Sequence, residues 1–202
     1  FMDPDKGGFI LEAGGLGAAE MSMLNEPGTG RPFMEYMADM KYYSGIVTLI
    51  HDHNVGEIRW DDDHKTVDYR IADSDFPAMQ KAIKASARIQ FAAGAKRVFV
   101  PSSTPLTIES EAEIDAVVDS LENEPHALRM VSYHPQGSCR MGPDPASSVV
   151  NGRGKAHDLD GLYVADASLF PTSMIVNPHV TVYALANWVA DGILGRKMNE
   201  VA

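Results

Sequence analysis

The 202-residue sequence predicts an α+β fold. Short runs such as Glu57-Ile-Arg-Trp and Thr66-Val-Asp-Tyr-Arg-Ile alternate apolar and polar residues across brief polar connections, as antiparallel neighbours do. Other segments carry apolar residues at helical spacing between capping signals. There is no regular β-α-β alternation, so the expectation is a mostly antiparallel sheet with helices laid on it.

Along the chain, Phe9-Ile10-Leu11 reads as a short strand stopped by Gly14 and Gly15, and residues 16–30 as a loop. Phe33, Met34, Met37 and Met40 share a helical face opened by Pro32. The β-rich run Gly45 to His51 precedes the two alternating strands, which Trp60-Asp-Asp-Asp-His-Lys joins as a hairpin turn. Ser74 is placed to cap a long helix with Asp75 and Pro77 in its first turn, with Phe76, Met79, Ile83 and Ala87 facing inward and Gly94 at its end. Arg97-Val-Phe-Val is a further strand. Ser110 and Glu113 form an S-x-x-E capping box before a helix that buries Ile114, Val117, Val118 and Leu121. Val131 to His134 is a strand broken at Pro135, residues 143–160 form a loop, and Leu162-Tyr-Val-Ala is a last strand. Asn177 as N-cap, Pro178 in the first turn and Gly195 past the end bracket the final helix, with His179 as its second residue.

The formal net charge of −11 and pI near 4.9 argue against nucleic-acid binding, which needs cations to displace phosphate counterions. No run approaches the ~18 apolar residues of a transmembrane helix. One cysteine, Cys139, excludes an intrachain disulfide framework and reads as a buried structural thiol. The chain opens on Phe1 without a charged-then-apolar signal, so it reads as a fragment or cut domain and gives no compartment.

Several motifs carry chemistry. Gly15-Leu-Gly-Ala-Ala-Glu and Gly28-Thr-Gly-Arg-Pro-Phe each hold two of the three glycines of a dinucleotide fingerprint and lack the small sixth residue. His51 and His53 would share one strand face, near His64 and an acidic turn, a pattern open to a metal site or to an exposed edge; no third ligand is fixed by spacing, and the edge is favoured. His126 and His157 lie in loops and read as solvent-exposed. His134 ends an apolar strand above the turn permitted by Gly137, where catalytic side chains are displayed; the alternative is a core histidine with one hydrogen bond. His179 sits at a helix start whose free N–H groups, at Val180 and Thr181, form an anion site. The alternative there is a capped amphipathic helix that packs Ala184, Trp188 and Ile193 inward.

Three pieces in order, His134-Pro-Gln-Gly-Ser-Cys-Arg-Met-Gly142, Gly161-Leu-Tyr-Val-Ala-Asp-Ala-Ser-Leu-Phe-Pro171 and Asn177-Pro-His-Val-Thr181, resemble the C-terminal part of the glucose–methanol–choline (GMC) oxidoreductases. The likeness extends to the long-chain alcohol oxidase and cholesterol oxidase-like branch. It implies an FAD-dependent alcohol oxidoreductase, with an alcohol, long-chain or sterol-like in kind, as substrate. Residues 1–130 then correspond to a substrate-domain portion and 131–202 to the catalytic and flavin-contacting portion, whose strand and helix complete an FAD-binding domain. The resemblance makes His134 the catalytic base and His179 the second active-site position, which is His in some members and Asn in others. It assigns Asp166 and Ala167 to the turn that touches FAD, and Asn177, Pro178, Val180 and Thr181 to the helix start beneath the flavin. It implies no metal. Members of the family carry a Gly-rich FAD-binding segment near the N-terminus of a much longer chain. This sequence lacks it, so the expected partner is that segment or a subunit carrying it, and the chain alone would be inactive. The competing reading is a catalytically inactive, partner-binding remnant of the family.

Overall fold

A computed structural model describes residues 8–15, 17, 22, 29–104, 106–125 and 127–196. Leu16, Ala18, Ala19 and Glu20 of the first glycine-rich stretch, Gly28 of the second, and His126 lie outside the described residues. The chain folds as two compact units, Phe1–Val131 and Ser132–Ala202.

In the first unit, β1 (Phe9–Gly14) pairs antiparallel with β2 (Gly45–Ile50), from Phe9↔Ile50 to Gly14↔Gly45. Between them run α1 (Arg31–Ala38) and a 3₁₀ turn, Met40–Tyr42. The helix starts two residues before the predicted Phe33, with Pro32 in its first turn as expected. β3 (Glu57–Trp60) and β4 (Lys65–Asp68) form the predicted hairpin. The Asp61 carboxylate closes its turn by accepting from the backbone N–H groups of Asp63 and His64 at 3.1 and 2.8 Å. α2 (Phe76–Ala92) packs on β1 and β2, and β5 (Val98–Val100) pairs with β6 (Leu106–Ile108), a strand that the sequence pattern did not reveal. α3 (Ile114–Asp119) then packs on α2.

The fold class is α+β, but the single antiparallel sheet expected from the sequence is not formed among the described residues. The strands make three separate two-stranded ladders. The reason lies just after β2. His53 donates its backbone N–H to Asp75 Oδ2 at 2.8 Å, and its ring Nδ1 lies 2.8 Å from Asp75 Oδ1. This clip ties the chain to the start of α2 and turns it away before the hairpin begins. The hairpin is left with an apolar face. Ile58, Trp60 and Val67 lie on one side by strand alternation and cross-strand pairing, and they are 62%, 76% and 60% exposed.

The core of this unit joins Ala87 of α2, Val98 and Val100 of β5, Ile108 of β6, and Ile114 and Val118 of α3. Ile83, Val117 and Leu121 pack around it, so both predicted helix stripes face inward. Ser74 does not cap α2. Asp75 occupies the N-cap position, and its carboxylate serves His53 instead of the helix N–H groups. The predicted capping box is rearranged as well. Glu113 reaches back to the Glu109 N–H (3.1 Å) and takes the Ser110 hydroxyl (3.1 Å), and a 3₁₀ turn, Glu111–Glu113, precedes α3.

In the second unit, the core is Val150, Ala156, Leu169 and Val189, with Met141, Val164 and Leu185 against it. α4 (His179–Ile193) supplies Val189 and Leu185. The predicted inward stripe of that helix is wrong. Ala184 and Ile193 are exposed, while the Trp188 ring N–H donates to the Gly152 carbonyl at 2.7 Å beneath the Arg153 guanidinium. Neither Val131–His134 nor Leu162–Ala165 is a strand. The latter makes one bridge, Lys155↔Tyr163, because its backbone partners come from the loop at 154–156 and no longer ladder lies beside it among the described residues.

Both long helices end in the same closure. Ala95 N–H reaches Gln90 O (3.0 Å) and Gly94 N–H reaches Phe91 O (2.9 Å); Arg196 and Gly195 repeat the pair on Asp191 and Gly192. These are Schellman caps at the two predicted glycines.

Burial pushes the Asp75 carboxyl up, but the hydrogen bonds and charge of His53, with a smaller contribution from Ser74, outweigh it and hold the group below the ordinary carboxylate range. A depressed folded-state pKa gives stability that is present above the unfolded value and lost as pH falls through the folded value. Asp75→Asn is expected to destabilise the chain by about 1–3 kcal/mol at neutral pH, because it weakens a buried acceptor with two donors. In chemical denaturation, the difference between the two proteins should be full near pH 5 and shrink below about pH 4.

Candidate active site

The motif around His134 and the motif around Asp166 are held together by backbone bonds. Three alternate N–H groups, of Gly137, Cys139 and Met141, donate to the carbonyls of Ala167, Ser168 and Leu169 at 3.2, 3.0 and 2.9 Å. The carbonyls belong to a 3₁₀ turn, Ala167–Leu169. Asp166 is its N-cap, accepting the Ser168 N–H at 2.9 Å and the Ser168 hydroxyl on the same carboxylate oxygen. This exposed carboxylate therefore shapes the turn, and Leu169 at the turn's end is fully buried in the core.

Gly137 makes the approach possible. Its φ of 81° lies in the left-handed region, and an added Cβ would come within 3.2 Å of the Phe170 carbonyl oxygen. Gly154 is more tightly held. At φ 71°, its Cβ would meet Val164 O and Val189 Cγ2 at 2.6 Å each. The loop, the Val164 segment and α4 thus meet at a point where only hydrogen fits, a constraint that the sequence reading missed because both contacts come from segments distant along the chain.

His134 is half-buried, and its carbonyl accepts the Gln136 side-chain Nε2 at 3.2 Å. Cys139, read from sequence as buried, is half-buried with its backbone N–H bound to Ser168 O, which gives it a structural place in the stitch. His157, read as exposed, is half-buried, and its Nε2 lies 2.9 Å from the Ser148 hydroxyl. The hydroxyl's one proton has the Asp144 carbonyl at 2.6 Å, so His157 acts as donor to the serine, and the pair is a loop clasp with no activated nucleophile.

The final helix begins one residue later than predicted. Pro178 is its N-cap and is buried; Asn177 stands outside the helix, and His179 is the first helical residue. The first helical bond runs from Val182 N–H to Pro178 O at 2.8 Å. The N–H groups of His179, Val180 and Thr181 consequently have no helical acceptor, and they sit at the positive end of a 15-residue helix. His179 is exposed and stacks on Tyr183 with ring centroids 6.2 Å apart and planes at 11°. Tyr183 was absent from the sequence reading, although spacing of four residues from His179 on a helix could have found it. Val180 is 80% exposed and Thr181 half-buried. The structure thus places His134, Asp166, Ala167, Pro178 and His179 in one unit around one core.

The possible metal site fares differently. The His51 and His53 rings meet edge to face at 4.7 Å, but His53 is engaged by Asp75, and His64 lies in the hairpin turn 3.5 Å from Asp61. Among the described residues, no three His, Cys, Asp or Glu side chains gather in a way that could hold a metal ion. No described helix is long and apolar enough to cross a membrane.

The family model for GMC oxidoreductases, in its C-terminal part, matches residues 52–186. The chain therefore belongs to the GMC oxidoreductases. It is 28% identical to the long-chain-alcohol oxidase FAO1 of Arabidopsis thaliana, over 97% of this chain and 27% of that protein. It is 33% identical to an oxygen-dependent choline dehydrogenase of Xanthomonas axonopodis pv. citri, over 63% of this chain and 22% of that one. In three dimensions it is similar to pyridoxine 4-oxidase from Mesorbium loti, with a TM-score of 0.56 and 26% identity over 76% of this chain and 30% of the other. The chain spans less than a third of each of these relatives.

Gly154→Ala should lower stability by about 2–5 kcal/mol, combining left-handed backbone strain with forced displacement of Val164 and Val189. Gly152→Ala, where an added Cβ meets nothing within 4 Å, should stay within about 0.5 kcal/mol of the parent. Thermal denaturation of the two variants checks the contrast.

Proposed function

We propose that this chain supplies the catalytic histidine and the flavin-facing helix of an FAD-dependent oxidoreductase acting on the CH–OH group of alcohols. The observation that carries the reading is the backbone stitch between the His134 segment and the Asp166–Leu169 turn, on the same core that anchors the helix beginning at His179. Long-chain alcohols are the favoured substrates, through the likeness to the Arabidopsis oxidase.

The residues present fit a flavin. Three N–H groups without helical acceptors stand at the start of α4, beside the exposed apolar surface of Val180, and the buried Pro178 fixes where the helix begins. His179, Val180 and Thr181 would hold the polar end of the isoalloxazine, Asp166 and Ala167 would border it, and Asn177 and Pro178 set the entry of the chain. When bound, FAD supplies the acceptor for the hydride that leaves the alcohol carbon.

The chain's own part is the proton. Oxidation of an alcohol to a carbonyl releases one proton from oxygen and one hydride from carbon. His134 takes the proton at a ring nitrogen, a task for which imidazole suits because its charge changes near neutral pH. His179, first on its helix and stacked on Tyr183, holds the substrate oxygen by a second hydrogen bond. The helix N-terminus would offer partial positive charge to the polar end of the flavin. The remaining portion of the flavin site belongs to the partner of this chain, a Gly-rich FAD-binding segment of the kind the family carries, in the same polypeptide or in another subunit.

In the flavin-loaded enzyme, His134→Ala is expected to slow alcohol-dependent flavin reduction by about 10²–10⁴-fold with the flavin still bound. Anaerobic stopped-flow absorbance measures it. Reduction at the parent rate would remove His134 from the role of base, whereas no alcohol-dependent reduction in the parent itself would favour the inactive, partner-binding reading.

A further inference from the structure

Gln136 lies two residues beyond His134, and its side chain folds back on the backbone there. Its Nε2 donates to the His134 carbonyl at 3.2 Å. A carbonyl oxygen can only accept, so the amide atom beside it must be the NH₂ group, and the assignment of the two amide ends is fixed by chemistry. The other end, Oε1, is buried and has no hydrogen-bond partner in the chain. Buried acceptors are nearly always satisfied, so an orphan requires a donor that the site brings to it. Substrate is a poor donor for an atom out of contact with solvent. His134, whose carbonyl already holds the other end of this amide, carries a donor of the right kind, since a neutral imidazole has an N–H on one of its two ring nitrogens.

We infer that Gln136 is a positioning residue for His134: its Nε2 holds the His134 backbone, and its Oε1 accepts the Nδ1–H of the imidazole in the working enzyme, leaving Nε2 of the ring unprotonated and able to take a proton. The tautomer of a histidine is set by the bond its other nitrogen makes. A base on the wrong tautomer has its lone pair facing the wrong way. The carboxamide therefore does for His134 what a carboxylate orienter does elsewhere, without a charge. This role rests on the reading of His134 as the base, although the tautomer itself can be measured without that reading.

The test begins with the flavin-loaded enzyme, labelled with ¹⁵N-histidine. Long-range proton–nitrogen correlations above the titration range report the tautomer of His134, assigned by loss of its signals in His134→Asn. The parent should show the Nδ1–H tautomer, and Gln136→Leu a mixture of both. The same mixture in parent and variant, or a parent fixed in the Nε2–H form, overturns the inference. In the flavin-loaded enzyme, Gln136→Leu should lower the limiting rate of flavin reduction on the order of 10–100-fold, less than loss of a charged orienter, with little change in KM. Gln136→Glu keeps an acceptor oxygen and adds a charge. It should retain the Nδ1–H tautomer and raise the apparent pKa of the base in the pH profile of kcat/KM, and it remains decisive if the leucine variant does not fold. An unmoved pH profile in Gln136→Glu overturns the role. Full activity in His134→Ala would instead defeat the base assignment, while the NMR result would still decide whether Gln136 holds the ring.

Discussion

The second unit depends on one constraint: the close meeting of three chain segments around Gly154, Val164 and Val189, with the Gly137–Met141 strip laid over the Ala167–Leu169 turn. Each contact is ordinary. Three backbone hydrogen bonds contribute ~1 kcal/mol each in net stability. Their value lies in what they tie together. The strip carries His134 at its near end, the turn carries Asp166 and Ala167, and Val189 belongs to the helix that begins at His179. A backbone stitch of this kind fixes segment positions without using side chains. The histidine and threonine side chains are thereby left available for chemistry, while the Asp166 carboxylate shapes the turn.

The same division of labour appears in the first unit with a different device. There a buried carboxylate does the tying. Asp75 could have capped α2, but its oxygens face His53. The helix N-terminus still benefits from the negative charge beside it. The consequence is architectural, since a chain leaving β2 could have run on into a wider sheet and is instead turned aside. Long-range side-chain bonds between residues 53 and 75 leave no periodic trace, which is why strand patterns suggested one sheet where three ladders form.

What the sequence disclosed, and what it hid, follows from the range of the interaction. The hairpin turn at Asp61, the inward stripes of α2 and α3, and the closures at Gly94 and Gly195 all depend on residues within one turn or one strand pair. They were legible. The start of the last helix was misplaced by one residue because Asn177 is a good cap by type, whereas the chain uses Pro178, whose fixed φ and burial decide the matter locally. Trp188 looked like a core residue by size, yet the Gly152 carbonyl and Arg153 hold it at the margin. The site motifs were visible as motifs, and their membership in the GMC oxidoreductases is shown. Their mutual geometry was not visible, because it rests on carbonyls and N–H groups, which every residue has.

The hairpin of β3 and β4 has a bearing on how the isolated chain behaves in solution. Ile58, Trp60 and Val67 present an apolar strip on a pair of strands whose outer edges are unpaired among the described residues, a template for lateral association. A net charge of −11 keeps copies apart by mutual repulsion at neutral pH. That protection is electrostatic and conditional. Added salt shortens its range, and acid near the isoelectric point of about 4.9 removes it. An uncovered strand face is thus held in check by a surplus of carboxylates.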